Sequence, residues 1–186
     1  MIKAFIIIPA KGDSKRLVGK NKRVIAGKTL LEHSIEYAQK SKLATSILVS
    51  TEDVETKRIA ELYGVTVVGR TDDYMGEREV ADVYIKLFKE YGDDTFTHVV
   101  GIQPDHPDRT ILLDEMLEYV VENKYDDLFT VDPSGTRNGS IRITKAEHVK
   151  IGAMSRRVGS MIDDCTNIHS EQDLINAEKN INERLH

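Results

Sequence analysis

The run Ile6-Ile7-Ile8-Pro9 passes directly into the basic, glycine-punctuated stretch Ala10-Lys11-Gly12-Asp13-Ser14-Lys15-Arg16-Leu17-Val18-Gly19-Lys20-Asn21. Isoleucines without polar alternation predict a strand buried on both faces, as in a central parallel sheet. The loop at the carboxyl end of such a strand is where open α/β sheets bind ligands. Lys11, Lys15, Arg16 and Lys20 fall in that loop, and Gly12 and Gly19 allow a tight backbone. Backbone N–H groups with several cations suit a polyphosphate. A solvated basic loop is the bland alternative; direct attachment to a buried strand favours anion binding.

Two phosphate motifs are absent. From Gly12, the second glycine of a P-loop would fall at Leu17, and Gly19-Lys20 is followed by Asn21 rather than Ser or Thr. The dinucleotide fingerprint G-x-G-x-x-G does not occur either.

The chain of 186 residues carries a net charge of −5, which argues against nonspecific nucleic-acid binding and makes the basic loop a local feature. One domain spanning residues 1–186 is the expectation at this length. Cys165 is the single cysteine, so neither an internal disulfide nor a cysteine-based zinc site can form. The first apolar run is short for a signal peptide, and no run has the length of a membrane span. A cytoplasmic protein without membrane partners is expected.

Strands and helices alternate along the chain. Thr29-Leu30-Leu31-Glu32 reads as a capping box opening a helix to about Ser41. Strands are expected at 46–51, 65–68, 98–102 and 127–131. Helices are expected at 54–63, 78–91 and 111–123, and a last one is capped by Ser170. Residues 139–144 are a candidate added strand. With right-handed crossovers this gives a parallel sheet covered on both faces. Leu174, Ala177, Ile181 and Leu185 form a packing stripe on the last helix, and His33 reads as a packing or surface residue.

The stretch IIIPAKGDSKRLVGKN resembles the opening signature of the cytidylyltransferases that activate acidic sugars, the CMP-sialic acid and CMP-KDO synthetases. Lys11 stands where that family has arginine, and Val18 where it has proline. The likeness continues through GKTLLEHSIEYAQKS, ILVSTED and GIQPDHPDRT, covering about the first two thirds of the chain. It implies an α/β, Rossmann-like three-layer sandwich with a mostly parallel central sheet, of the nucleotide-diphospho-sugar transferase type. It also implies a nucleotidyltransferase that moves CMP from CTP to an acidic sugar, such as a nonulosonic or 2-keto-3-deoxy acid.

On this resemblance Lys11, Ser14, Arg16 and Lys20 hold the triphosphate, with Pro9, Ala10 and Gly12 shaping the nucleotide loop. Asn21 and Arg70 approach ribose and base, although a solvent-facing Arg70 in a turn reads equally well from the residues alone. Gln103, Arg109 and Asn138 face the acceptor. Asp105, in the loop QPDHPDR, falls where the KDO branch has its magnesium-binding aspartate; as a residue alone it also fits an Asx turn. Mg²⁺ is the implied cofactor, because it prefers one or two carboxylates with phosphate oxygens and water.

Before the last helix the family carries two aspartates, whereas this chain has Asn167 and His169. His169 could ligate a softer ion or act as a base, Asp163 or Asp164 could replace the lost ligand, or the site could be weakened. Between Asp132 and Arg137 the long dimerisation insertion is missing, so a homo-oligomer would need another route. Two alternatives follow: the same fold and CTP use with a smaller phosphonate or sugar-phosphate acceptor, or a nucleotide-binding protein with degenerate catalysis.

Overall fold

The computed structural model describes residues 1–12, 17–70, 80–153 and 155–185. Its centre is a seven-stranded sheet. β1 (Ala4–Pro9) is flanked in parallel by β4 (Ala44–Ser50) and β6 (His98–Ile102). Ala4 through Ile8 are buried, as the unbroken apolar run predicts for a central strand. β5 (Thr66–Val68) continues the parallel arrangement beyond β4. On the other side β8 (Arg137–Lys145) runs antiparallel to both β6 and β7 (Asp127–Val131). β9 (Val158–Ile162) completes the sheet, parallel to β7. The sheet is therefore mixed and mostly parallel, in the order β5-β4-β1-β6-β8-β7-β9. A small hairpin, β2 (Val24–Ile25) with β3 (Lys28–Thr29), leads into the first helix.

α1 (Leu30–Gln39) starts at the expected capping box: Thr29 Oγ1 accepts from Glu32 N at 3.2 Å, and Glu32 Oε2 accepts from Thr29 N at 2.6 Å. α2 (Val54–Leu62) is capped by Asp53, whose carboxylate accepts from Thr56 N at 2.8 Å, and Gly64 follows it at φ 68°. α4 (Leu113–Glu122) packs with α1 on one sheet face, where Leu31, Ile35, Met116 and Leu117 meet Ile6, Ile8, Val100 and Ile102. α3 (Val80–Tyr91) and α5 (Ala146–Ile151) cover part of the other face. There Phe5 packs edge-on against Phe88 and Phe96, with ring centroids 5.4 and 5.0 Å away. α6 (Glu171–Leu185) buries Leu174 and Ala177 against Leu17, Ile25, Leu30 and Ile168. The expected start of α3 at Arg78 lies outside the described residues.

The local expectations hold along the first two thirds of the chain. The 139–144 strand exists but is longer, and it is the antiparallel member of the sheet. α5 and β9 were not expected. Both are short, and β9 is half exposed at the sheet edge, so neither carries a strong periodic signal.

The site at the strand ends

The chain leaves β1 toward β4 on one side, and reaches β6 on the other only after β5 and α3. The carboxyl end of β1 is thus a topological switch point, where open sheets bind ligands. Pro9 pairs with Ser50, and Ala10 donates its N–H to the Ser50 carbonyl at 2.9 Å, so the loop departs from a fixed strand end. Asn21 Nδ2 then donates to the Lys11 carbonyl at 2.8 Å, tying the two ends of the basic loop together. This largely buried amide, expected to approach the ribose, instead braces the backbone. Ser14 and Arg16, expected on the triphosphate, lie outside the described residues.

Gly12 answers to a close approach. A Cβ there would sit 2.6 Å from Asp53 Cβ, a distance no real side chain tolerates. Its N–H donates to Glu52 Oε1 at 2.7 Å. The other Glu52 oxygen lies 3.9 Å from Arg70 Nε. Glu52, at the end of β4, thereby links the basic loop to the residue after β5. Burial lowers the Arg70 guanidinium pKa below its ordinary value, and Glu52 opposes the shift. Arg70 is therefore turned inward rather than into solvent. Glu52 itself was passed over in the sequence, although it stands at a strand end as Lys11 and Gln103 do.

Lys20 and Asp105 meet from opposite sides of the switch point. Lys20 Nζ lies 2.6 Å from Asp105 Oδ2 and 3.2 Å from the Ile168 carbonyl. The lysine is presented by the short 3₁₀ turn Lys20–Lys22, the aspartate by the loop after β6. Burial alone would favour the neutral acid, but His106 and Lys20 outweigh it and hold the Asp105 carboxyl well below the usual range. His106 is buried, and its Nδ1 lies 3.0 Å from Asp105 Oδ1, within ion-pairing distance but off the axis of a hydrogen bond. Among the described residues, Asp105 Oδ1 thus accepts no hydrogen bond.

That oxygen tests the fit of Mg²⁺. An ionised carboxylate with an uncommitted oxygen suits a hard cation that takes its remaining ligands from phosphate and water. Among the described residues no three His, Cys, Asp or Glu side chains converge on a metal position. His169 follows Ile168, whose N–H bonds the Asp105 carbonyl at 2.9 Å, so the segment is adjacent although the His169 side chain is exposed. Asp163 is no substitute ligand. It is fully buried, and its carboxylate accepts from Thr110 N, Thr110 Oγ1 and Ser140 Oγ at 2.8, 3.0 and 3.0 Å.

The expected acceptor residues divide. Arg109 is turned inward: Nε donates to Ser140 Oγ at 2.9 Å, one terminal nitrogen reaches Ser34 Oγ at 3.3 Å, and the other bonds the Gln103 carbonyl. Its guanidinium also stacks 5.1 Å from the Tyr37 ring centroid. Arg109 therefore pins the loop instead of facing an acceptor. Asn138 is likewise engaged, giving Nδ2–H to the Asp163 carbonyl at 2.8 Å and accepting from Thr130 Oγ1 at 2.6 Å. Cys165 lies beside this network; burial, with Asp163 adding to it, pushes its thiol up to about 12, so it is no nucleophile at neutral pH.

Gln103 does border open space. A cavity of about 270 Å³ is lined by Gln103, Tyr84, Phe129, Arg137, Gly139 and Arg142. Arg137 stacks 3.5 Å from the Phe129 ring centroid, and Arg142 is held by Asp127 through contacts of 3.1 and 2.6 Å. Of these, Tyr84 escaped the sequence because a tyrosine on an apolar helix face looks like core. The available signal was Gly101 inside a strand, which marks a close approach. A larger depression of about 580 Å³ lies on α6 at Ile175, Glu178 and Lys179, whose side chains belong to none of these loops.

A family model described as Cytidylyltransferase matches residues 5–183. The chain belongs to the cytidylyltransferase family. The CMP-N,N'-diacetyllegionaminic acid synthase of Legionella pneumophila is 37% identical to this cytidylyltransferase over 107 residues, which are 55% of this chain and 46% of that protein. The 3-deoxy-manno-octulosonate cytidylyltransferase of Francisella philomiragia is 35% identical over 108 residues, 58% of this chain and 41% of that protein. The matched stretch thus spans less than half the length of either relative. Among solved structures, a CMP:2-keto-3-deoxy-manno-octonic acid synthetase complexed with CTP superposes with a TM-score of 0.76 at 15% identity, covering 98% of this chain and 99% of that one. That likeness shows the fold. No helix among the described residues is long and apolar enough to cross a membrane.

Proposed function

We infer that this cytidylyltransferase moves CMP from CTP to an acidic sugar and releases pyrophosphate. The observation that carries the reading is the Lys20–Asp105 pair at the switch point, where a cation and an ionised carboxylate meet 2.6 Å apart. An oxygen of the acceptor attacks the α-phosphorus of CTP. The bond from that phosphorus to the α,β-bridging oxygen breaks, pyrophosphate leaves, and the acceptor proton passes to solvent.

In this reading Lys11 and Lys20 hold the triphosphate, with Ser14 and Arg16 of the same loop. Arg70 lies toward the base and is kept in place by Glu52. Asp105 would hold Mg²⁺ through its uncommitted oxygen; when bound, the ion offsets polyphosphate charge and polarises the reacting phosphate. The protein's contribution is positioning and charge stabilisation. Gln103, Arg137 and Arg142 border the cavity for the acceptor, and two arginines suit an acidic one.

The reading is tested by thermal stabilisation with Mg²⁺ and CTP, UTP, ATP or GTP, on the wild type and Asp105→Ala, followed by pyrophosphate release with 2-keto-3-deoxy acids. Stabilisation by CTP that weakens in the variant, with pyrophosphate release, is expected. No shift with any nucleotide would sink the reading.

A further inference from the structure

β9 ends the sheet, and among the described residues it bonds to β7 alone, so its outer edge is open. The Arg157 carbonyl accepts from Asp126 N at 2.8 Å, and Asp163 N donates to the Val131 carbonyl at 2.9 Å. Backbone groups alternate in direction along a strand. Positions 157, 159, 161 and 163 therefore face β7, and Val158, Ser160 and Ile162 turn their N–H and C=O groups to the open edge. The side chains of these three share one sheet face. Gly159 lies against the Tyr125 ring, 2.4 Å from where a Cβ would stand, and Met161 packs into the same core as α1 and α4. The alternation puts Val158, Ser160 and Ile162 on the opposite face, where all three are exposed, the two apolar ones by 38% and 57%.

Sheet edges that stay unpaired are guarded by shortness, by lysine or proline on the strand, or by a bulge. β5, at the other edge, has three residues. β9 has five, Val-Gly-Ser-Met-Ile, with neither charge nor proline, and it follows β7 in unbroken register. The flanking charges stand outside the strand and differ in sign at its two ends. Arg156 precedes it and Asp164 follows it; both are exposed, and neither forms an ion pair among the described residues. The stretch is self-complementary about Ser160. Two positions to either side stand Val158 and Ile162, and four positions to either side Arg156 and Asp164.

We propose that the open edge of β9 is a homodimer interface, where two copies of this chain pair antiparallel across a two-fold axis at Ser160. Ser160 of one copy then faces Ser160 of the other, Val158 of each faces Ile162 of the other, and Arg156 of each faces Asp164 of the other. The strand positions brought opposite are those whose backbone groups already point outward, so each such pair exchanges two backbone hydrogen bonds. The exposed apolar side chains gain cross-strand neighbours, and each flanking charge gains one of opposite sign. The contact is isologous and closes on itself, so it makes a dimer and not a filament. Two seven-stranded sheets become one continuous sheet. One strand a side buries less than the roughly 1,200 Å² of a standard interface, so a concentration-dependent dimer with a Kd of about 1–100 µM is expected.

Sedimentation of the full chain between about 1 and 300 µM tests this. The wild type is expected to rise from the 21.0 kDa of one chain to twice that mass. Ser160→Pro removes an N–H that points away from β7, so it spares the fold and abolishes the dimer. Arg156→Asp and Asp164→Arg each set like charges opposite one another and raise the Kd by about tenfold or more. Mixed in equal amounts, these two charge variants are expected to pair again, because every charged contact in the mixed dimer joins opposite signs. Circular dichroism and thermal unfolding report whether each variant is folded, and the charge variants decide alone if Ser160→Pro is not. A wild type that stays monomeric throughout, a dimer that all three variants leave intact, or charge variants that fail to recover on mixing overturns the inference. None of these outcomes touches the cytidylyltransferase reading.

Discussion

Lys20 Nζ and Asp105 Oδ2 lie 2.6 Å apart, joining the turn that closes the basic loop to the loop after β6. The pair is partly buried, with side chains 14% and 15% exposed, so each charge depends on the other for solvation lost to the protein. Asp105→Asn keeps the shape and removes the charge. We expect Mg²⁺-dependent stabilisation by CTP to disappear and kcat/KM to fall by roughly 10²–10³-fold, in line with several kcal/mol of electrostatic stabilisation. Nucleotide titrations with and without Mg²⁺ check this. A variant that binds Mg²⁺·CTP as the wild type does would remove Asp105 from the site.

Arg109 gives three hydrogen bonds to Ser140, Ser34 and Gln103, all within the protein. Its replacement by alanine leaves those partners unsatisfied and frees the loop that carries Asp105. A loss of about 2–4 kcal/mol of stability is expected, measured by urea denaturation. A residue that only contacted the acceptor would change the acceptor KM and leave the denaturation midpoint in place. Asn138→Ala is expected to behave in the same way, since its amide bonds Asp163 and Thr130.

These two residues mark where the sequence stops being readable. The Thr29–Glu32 box, the Asp53 cap and the buried β1 run are local patterns, and each appears in the structure as the pattern predicts. The orientation of Arg109 is set by Ser34 and Ser140, 75 and 31 positions away, so no window around the loop could give it. The burial of Asp163 depends in the same manner on Thr110 and Ser140. Lys20 and Asp105 were named separately from two loops; their contact needed β1 and β6 to be neighbours in the sheet. β8 joins the sheet antiparallel, which alternation of strands and helices does not foretell.

Gly12→Ala tests the close approach at the basic loop. The new Cβ would meet Asp53 Cβ at 2.6 Å, and Asp53 cannot retreat freely because it caps α2 through Thr56. The loop must shift instead, breaking the Gly12 N–H to Glu52 contact. A rise of about tenfold or more in the CTP KM is expected, since displacements of about 1 Å in positioning groups carry costs of that order. Thermal unfolding without nucleotide should change by far less than the effect on CTP. An unchanged KM would show that the loop tolerates a Cβ and that Gly12 serves no close approach.

His98, at the start of β6, gives a pH dependence of known sign. It is 5% exposed; its Nδ1 lies 2.9 Å from Thr97 Oγ1, and its Nε2 has no hydrogen-bond partner among the described residues. Lys145 faces it in register on β8, and Ala4 on β1. Burial, reinforced by the Lys145 cation, pushes its pKa down from 6.5 to about 4. Above pH 6.5 the imidazole is neutral in both folded and unfolded chains, and its contribution is intact. As pH falls from 6.5 toward 4 the unfolded chain takes up a proton that the folded chain refuses, so stability declines through that window. The full loss is about 3 kcal/mol at most. Denaturation free energies of the wild type and His98→Gln, compared between about pH 7.5 and 4.5, isolate the effect from that of the carboxylates. The wild type should lose more stability than the variant over this range; parallel curves would mean that His98 takes up its proton in the fold as readily as in the unfolded chain.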